Sequence, residues 1–158
     1  MGRELRRVPK DWEHPRSEDG EYIPLFDGYR AALKDFEDAV KEKGLAKAID
    51  YYGGAPMSEN YMPDWPVSER THYMMYETTS EGTPISPACE TPEELARWLA
   101  DNKASAFGKS TATYDQWLNM ISGPGWAPSA VMDVEGLRSG VVFVGNIRRD
   151  NDDSDTRD

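Results

Sequence analysis

The side chains that could do chemistry gather in one stretch, Arg70 to Asn102, which contains His72, Tyr73, Tyr76, Glu77, Glu81, Thr83 and Cys89. A nucleophilic pair would be drawn from Cys89 and His72. That chemistry needs a base held within hydrogen-bond reach of the thiol, and a lone cysteine more often serves as a small buried apolar group. Glu77 and Glu81 are the carboxylates for acid–base work, but a turn is expected between them, and acids abound in this region. Neither set is assigned, so no catalytic residue is expected.

Metal chemistry fares no better. The chain has two histidines, His14 and His72, in different segments, and no cysteine–histidine spacing of the zinc kind. His72 and Glu77 are five apart, so on a strand they face opposite ways. The acidic run at 150–155 lacks the glycine and closing glutamate of a calcium loop. Gly123-Pro124-Gly125 follows a helix pattern and does not open one, so no helix N-terminus is aimed at a phosphate. No metal and no cofactor is expected. What remains is recognition. Trp12, Tyr61, Trp65, His72, Tyr76, Glu77, Glu81 and Trp126 lie in or beside irregular segments, and interfaces favour Trp and Tyr anchors with polar rims. They are the candidate partner-binding residues.

The elements that must hold these residues are partly legible. Tyr29, Ala32, Leu33, Phe36 and Val40 form one apolar stripe at helical spacing, which predicts a helix over 29–43 with Asp27 as N-cap and Gly44 as its stop. Residues 45–52 predict a second short helix ended by Gly53-Gly54. Residues 71–78 are β-prone with two apolar faces, hence a strand interior to a sheet. Thr91-Pro92-Glu93-Glu94 predicts an N-cap, a proline at N1 and a capping box, opening a helix over 92–101. Thr113 and Gln116 predict a second box and a helix over 113–121. Residues 129–134 and 137–144 predict a hairpin about Glu135-Gly136. Residues 1–26, broken by Pro9, Pro15 and Pro24, predict an extended arm, with Tyr22–Leu25 as an edge strand. Residues 53–69 form a long loop, either pinned by its own rings or exposed as a binding ridge. Residues 147–158 predict a disordered polar tail.

The fold class expected is therefore α+β: one domain over 1–146, with a small, mostly antiparallel sheet from 71–78, 129–134 and 137–144 and three to four helices packed on it. With 158 residues it can bury a core unaided by disulfide or metal, and its single cysteine excludes an internal disulfide. Net charge is −11 and is set by the middle of the chain, where residues 18–101 hold eighteen acids against seven bases. Such a field repels nucleic acid and attracts basic partners. It is still far sparser than duplex DNA, at about one charge per 1.7 Å, so direct nucleic-acid binding and close DNA mimicry are not expected. No apolar run approaches a membrane span. The N-terminus lacks the apolar core of a secretory signal, and Arg6 stands where a myristoylation motif needs Ser or Thr. A cytoplasmic protein with no membrane contact is expected.

A series of blocks adds a resemblance. They are Arg6-Arg7-Val8-Pro9 with Trp12, His14 and Pro15; Tyr22 with Pro24-Leu25; Asp64-Trp65-Pro66 with Glu69-Arg70-Thr71-His72; Tyr76-Glu77; and Glu81-Gly82-Thr83-Pro84-Ile85-Ser86-Pro87. The series continues through Glu94-Leu95-Ala96-Arg97-Trp98-Leu99, Ala104-Ser105-Ala106-Phe107, Thr113-Tyr114 with Trp117, and Ser129-Ala130-Val131. Over roughly residues 3–141 the chain resembles a family of short accessory proteins of tailed phages and prophages of Gram-negative bacteria. It departs from that family at 29–52 and from Val142 onward. The resemblance carries over no catalytic residue. It implies a phage or prophage accessory protein, in the host cytoplasm, that binds a host or phage protein complex. The sharpest form is an anti-defence inhibitor of the anti-CRISPR kind. A small enzyme using a Glu/His acid–base site, or a virion structural protein, are the alternatives.

Overall fold

The strand expected at 71–78 is present as β2 (His72–Glu77), but its partner is the chain's own beginning. Strand β1 (Arg3–Val8) pairs antiparallel with all of β2, from Arg3 opposite Glu77 to Val8 opposite His72. The short β3 (Trp126–Ala127) joins the other edge of β1, so the strand order is β2-β1-β3. The computed structural model describes residues 2–78, 81–134 and 136–154.

The extended arm is thus corrected at its start: residues 3–8 form the central strand. Charge hid this, because Arg3, Arg6 and Arg7 break the apolar pattern of a buried strand. Arg3 and Arg6 are nevertheless buried, and both hydrogen-bond to backbone carbonyls. Residues 22–25 form no regular edge strand. They hold the arm in a turn by single bonds, with Ile23 N–H donating to the Pro15 carbonyl and Leu25 N–H to that of Gly82. The far edge of β2 is covered by the loop 83–89. Glu77 N–H donates to Thr83, Ile85 N–H to Met75, and Tyr73 and Cys89 exchange both bonds at 2.8 Å. This satisfies the edge without a formal strand.

Both faces of β2 are buried, in the alternation its sequence predicts. On one face Met75 joins Leu95, Leu99, Trp117 and Met120 in the larger core. Helices α3 (Pro92–Asp101), α4 (Tyr114–Ser122) and α5 (Gly140–Ser154) supply that core. Each fully buried leucine there contributes about 1.5–3 kcal/mol. On the other face Met74 and Tyr76 meet Val8, Leu25 and Met62, with Trp12 and Trp65 leaning on them.

Local signals set the helices. The Thr91 side chain accepts from Glu94 N–H, though the Glu94 carboxylate reaches Glu90 N–H and not that of Thr91. At α4 the capping box is complete, Thr113 with Gln116. Helices α1 (Tyr29–Lys43) and α2 (Leu45–Tyr52) form a hairpin around Gly44. Its N-cap is Gly28, in the left-handed region at φ 77°, and not Asp27, whose carboxylate accepts the Gly28 N–H.

Beyond Ser129 the expectation is half met. Strands β4 (Ala130–Asp133) and β5 (Gly136–Ser139) form the hairpin, but as a separate two-stranded ribbon. Glu135 lies outside the described residues. The second strand stops at Ser139 because Gly140 opens α5. This helix takes in the β-prone run Val141–Val144 and continues to Ser154, so the polar tail is helical that far; residues 155–158 lie outside the described residues. Packing on α4 decides it. Val141 is fully buried, Gly145 sits against the Gln116 backbone, and the Asn119 side-chain amide donates to the Gly145 carbonyl at 2.9 Å.

Candidate functional site: an aromatic groove beside the N-terminal arm

Behind Tyr76 a chain of hydrogen bonds links three side chains that sequence reading left apart. The Tyr76 ring is fully buried. Its hydroxyl lies 3.0 Å from Trp12 Nε1 and 3.1 Å from His14 Nδ1. His14 Nε2 is 2.6 Å from the Ile23 carbonyl. A carbonyl only accepts, so Nε2 carries the proton and Nδ1 of the neutral ring accepts from the tyrosine. The order is then fixed: Trp12 donates to Tyr76, Tyr76 to His14, His14 to Ile23. Every polar atom of the set has a partner.

Electrostatics agree with that order. Burial lowers the His14 pKa below its usual value. The Ile23 bond opposes the shift, and the positive charges of Arg6 and Arg16 add to it, which keeps the ring neutral. Burial pushes the Tyr76 hydroxyl up to about 12. The Arg6 guanidinium stacks 4.3 Å from the Tyr76 ring centre and donates to the Leu25 carbonyl at 2.8 Å.

In front of this network lies an open groove of about 910 Å³. One wall is the arm, with Trp12, Glu13, Pro15 and Tyr22. The other is the Pro84–Ala88 loop, and Trp98 of α3 stands at the end. Across Trp98 a second recess of about 470 Å³ contains Glu93, Glu94 and Asp101.

The candidate residues divide accordingly. Trp12 lines the groove and Trp65 packs against it, ring centres 4.8 Å apart and edge-on. Tyr76 is behind the wall, so its reading as an exposed contact is corrected: both its ring and its hydroxyl are consumed by the core. Glu77 lies 3.5 Å from the buried Arg3 guanidinium and serves as its counter-ion. Arg3 also donates to the Ser105 carbonyl and hydroxyl. His72 is half-buried at the opposite end of β2, with Nδ1 2.8 Å from the Thr71 hydroxyl. Glu81 is half-buried in the loop after β2. Tyr61 stacks with Phe26 and Tyr29 at the root of the helical hairpin. Trp126 is 51% exposed on β3, opposite Glu4 of β1. Of the eight, Trp12 alone lines the groove among the described residues, with Trp65 and Tyr76 packed behind it.

Three groove residues were missed as site residues: His14, Tyr22 and Trp98. The signal available was Trp98 on the same α3 face as Glu94 and Asp101, at i−4 and i+3. Cys89 packs in the larger core. Burial, with Glu94 nearby, raises its thiol pKa, which leaves it a poor nucleophile. Among the described residues no three of His, Cys, Asp and Glu converge as a metal site, and no helix is long and apolar enough to cross a membrane.

Comparison with protein-family models, with curated proteins and with solved structures finds no match for this chain.

Proposed function

We propose that the chain is a non-enzymatic binding protein that engages a host or phage protein complex through the arm–loop groove. The observation that carries this reading is the state of the groove's ionisable and polar groups. His14, Tyr76 and Trp12 are saturated by one another and by the Ile23 carbonyl, so the groove offers rings, prolines and the charges of Glu13 and Arg16, with none of the three free to transfer a proton. Rings in a partly open cleft with acidic margins fit an anchor-and-rim interface. The series of blocks resembling phage and prophage accessory proteins supports a setting in an infected or lysogenic host cytoplasm, with inhibition of a defence complex as the sharpest form. Several of those blocks, Trp12 to Pro15, Pro84 to Pro87 and Trp98, meet at this groove.

An acid–base enzyme built on Glu77 and His72 has less support. The two stand at opposite ends of β2, and Glu77 already neutralises Arg3.

The test is affinity capture from host lysate with the wild-type chain and a Glu93→Gln/Trp98→Phe/Asp101→Asn variant in parallel. A stoichiometric partner retained by the first and lost by the second is expected. Equal retention by both, or no stoichiometric partner, ends the reading.

A further inference from the structure

We infer that the groove accepts an extended, proline-containing peptide segment that carries a basic residue. This rests on the binding reading above and narrows it to a class of ligand. Three observations point the same way.

The first is the interrupted row of strand-pairing groups on the loop wall. The 83–89 loop spends two of its N–H groups on β2, Ile85 to Met75 and Cys89 to Tyr73, which leaves those of Ser86 and Ala88 without a neighbouring pair. Its groove side presents Pro84 and Pro87, which have no N–H. A peptide adding as a β-strand needs donors there; a polyproline II segment does not, because its backbone makes no ladder.

The second is the rings. Trp12, Tyr22 and Trp98 line the trough, the arrangement that receives proline-rich segments by stacking. The Trp12 indole N–H is already committed to Tyr76. That of Trp98 has no partner among the described residues, and it can donate to a peptide carbonyl, the one polar group such a segment always offers.

The third is charge. The recess beyond Trp98 holds Glu93, Glu94 and Asp101. None of the three is in an ion pair among the described residues; Glu94 only caps Glu90 N–H. Arg97 lines the same recess and stacks 4.0 Å from the Tyr114 ring, so three carboxylates stand against one guanidinium and the recess stays net negative; Arg16, at the groove, lies 3.8 Å from the Tyr22 ring. An arginine or lysine one turn beyond the prolines would find a recess with more carboxylates than bases.

The test is fluorescence anisotropy with three labelled peptides of about ten residues, roughly three polyproline turns. One has leucine–proline repeats ending in arginine. The second carries glutamate in place of the arginine, and the third alanine in place of every proline. The first is expected to bind saturably, the other two at least about tenfold more weakly. Glu93→Gln/Asp101→Asn is expected to weaken the first about three- to tenfold and to leave the glutamate peptide unchanged. Trp98→Phe, which keeps an aromatic face but removes the N–H and part of the indole area, is expected to weaken it as well. Glu93 and Asp101 are surface groups and Trp98 is half-buried against the larger core, so thermal melts are used to show that both variants are folded. Absent saturable binding, equal binding of the alanine peptide (a general acidic patch), or indifference to the carboxylate pair each overturn the inference. If the peptides fail while the lysate partner still depends on the groove, the binding function stands and only the ligand class falls.

Discussion

Tyr76→Phe removes one oxygen and breaks two hydrogen bonds. Trp12 Nε1 loses an acceptor at 3.0 Å and His14 Nδ1 a donor at 3.1 Å. A buried polar group left without a partner costs about 1–3 kcal/mol. Trp12 is half-buried, so water can replace part of its loss and about 1 kcal/mol is assigned to it. His14 is 6% exposed and water reaches it poorly, which puts its share at about 1–2 kcal/mol. The expected destabilisation is about 2–3 kcal/mol, equivalent to a fall in Tm of about 4–12 °C for a chain of this length. Urea and thermal unfolding followed by circular dichroism measure it. Trp12→Phe supplies the control, because it removes the orphaned donor. The double variant should be less destabilised than the sum of the singles, by about 0.5 kcal/mol or more. A Tyr76→Phe Tm within about 1 °C of wild type, or strict additivity with Trp12→Phe, would refute the ordered Trp12–Tyr76–His14 chain.

The remaining predictions concern neighbouring parts of the fold. Because burial lowers the folded pKa of His14, the unfolded chain binds the extra proton first. Stability should therefore fall as pH drops from about 7.5 through the unfolded value near 6.5 and level off below the folded value; urea titrations should show this component missing in His14→Gln. Gly145→Ala should destabilise by about 1–3 kcal/mol, since its Cβ would sit 2.7 Å from Gln116 Cα and 2.8 Å from its carbonyl oxygen. A helix free of α4 would instead gain about 1 kcal/mol from alanine, so the sign of the Tm change tests the α4–α5 contact. Glu77→Gln should cost about 1–2 kcal/mol, less than a fully buried pair because Glu77 is 27% exposed. Glu81→Gln should stay within about 0.5 kcal/mol of wild type; equal effects in chemical denaturation would remove the counter-ion role.

Sequence by itself determined the helices at 29–43, 45–52 and 92–101, and the one expected at 113–121 to within a residue of Tyr114–Ser122, because their signals are local. Thr91 and Thr113 cap within three residues, Gly44 and Gly53 stop within one, and an apolar stripe repeats at helical spacing whatever the rest of the chain does. The strand at 72–77 and its two buried faces were legible for the same reason. Only the tertiary structure decided what that strand pairs with. Arg3–Val8 has the wrong pattern for a central strand until the Ser105 and Leu25 carbonyls and the Glu77 carboxylate, all distant in sequence, are brought to its guanidinium groups. It also decided Val141–Val144: this run of valines and a phenylalanine favours a strand locally, and contact with α4 makes it helix. The groove belongs to the same class. Trp12, Tyr22, the prolines at 84 and 87 and Trp98 are separated by up to 86 positions, and no spacing rule connects residues that meet only when the first strand enters the middle of the sheet.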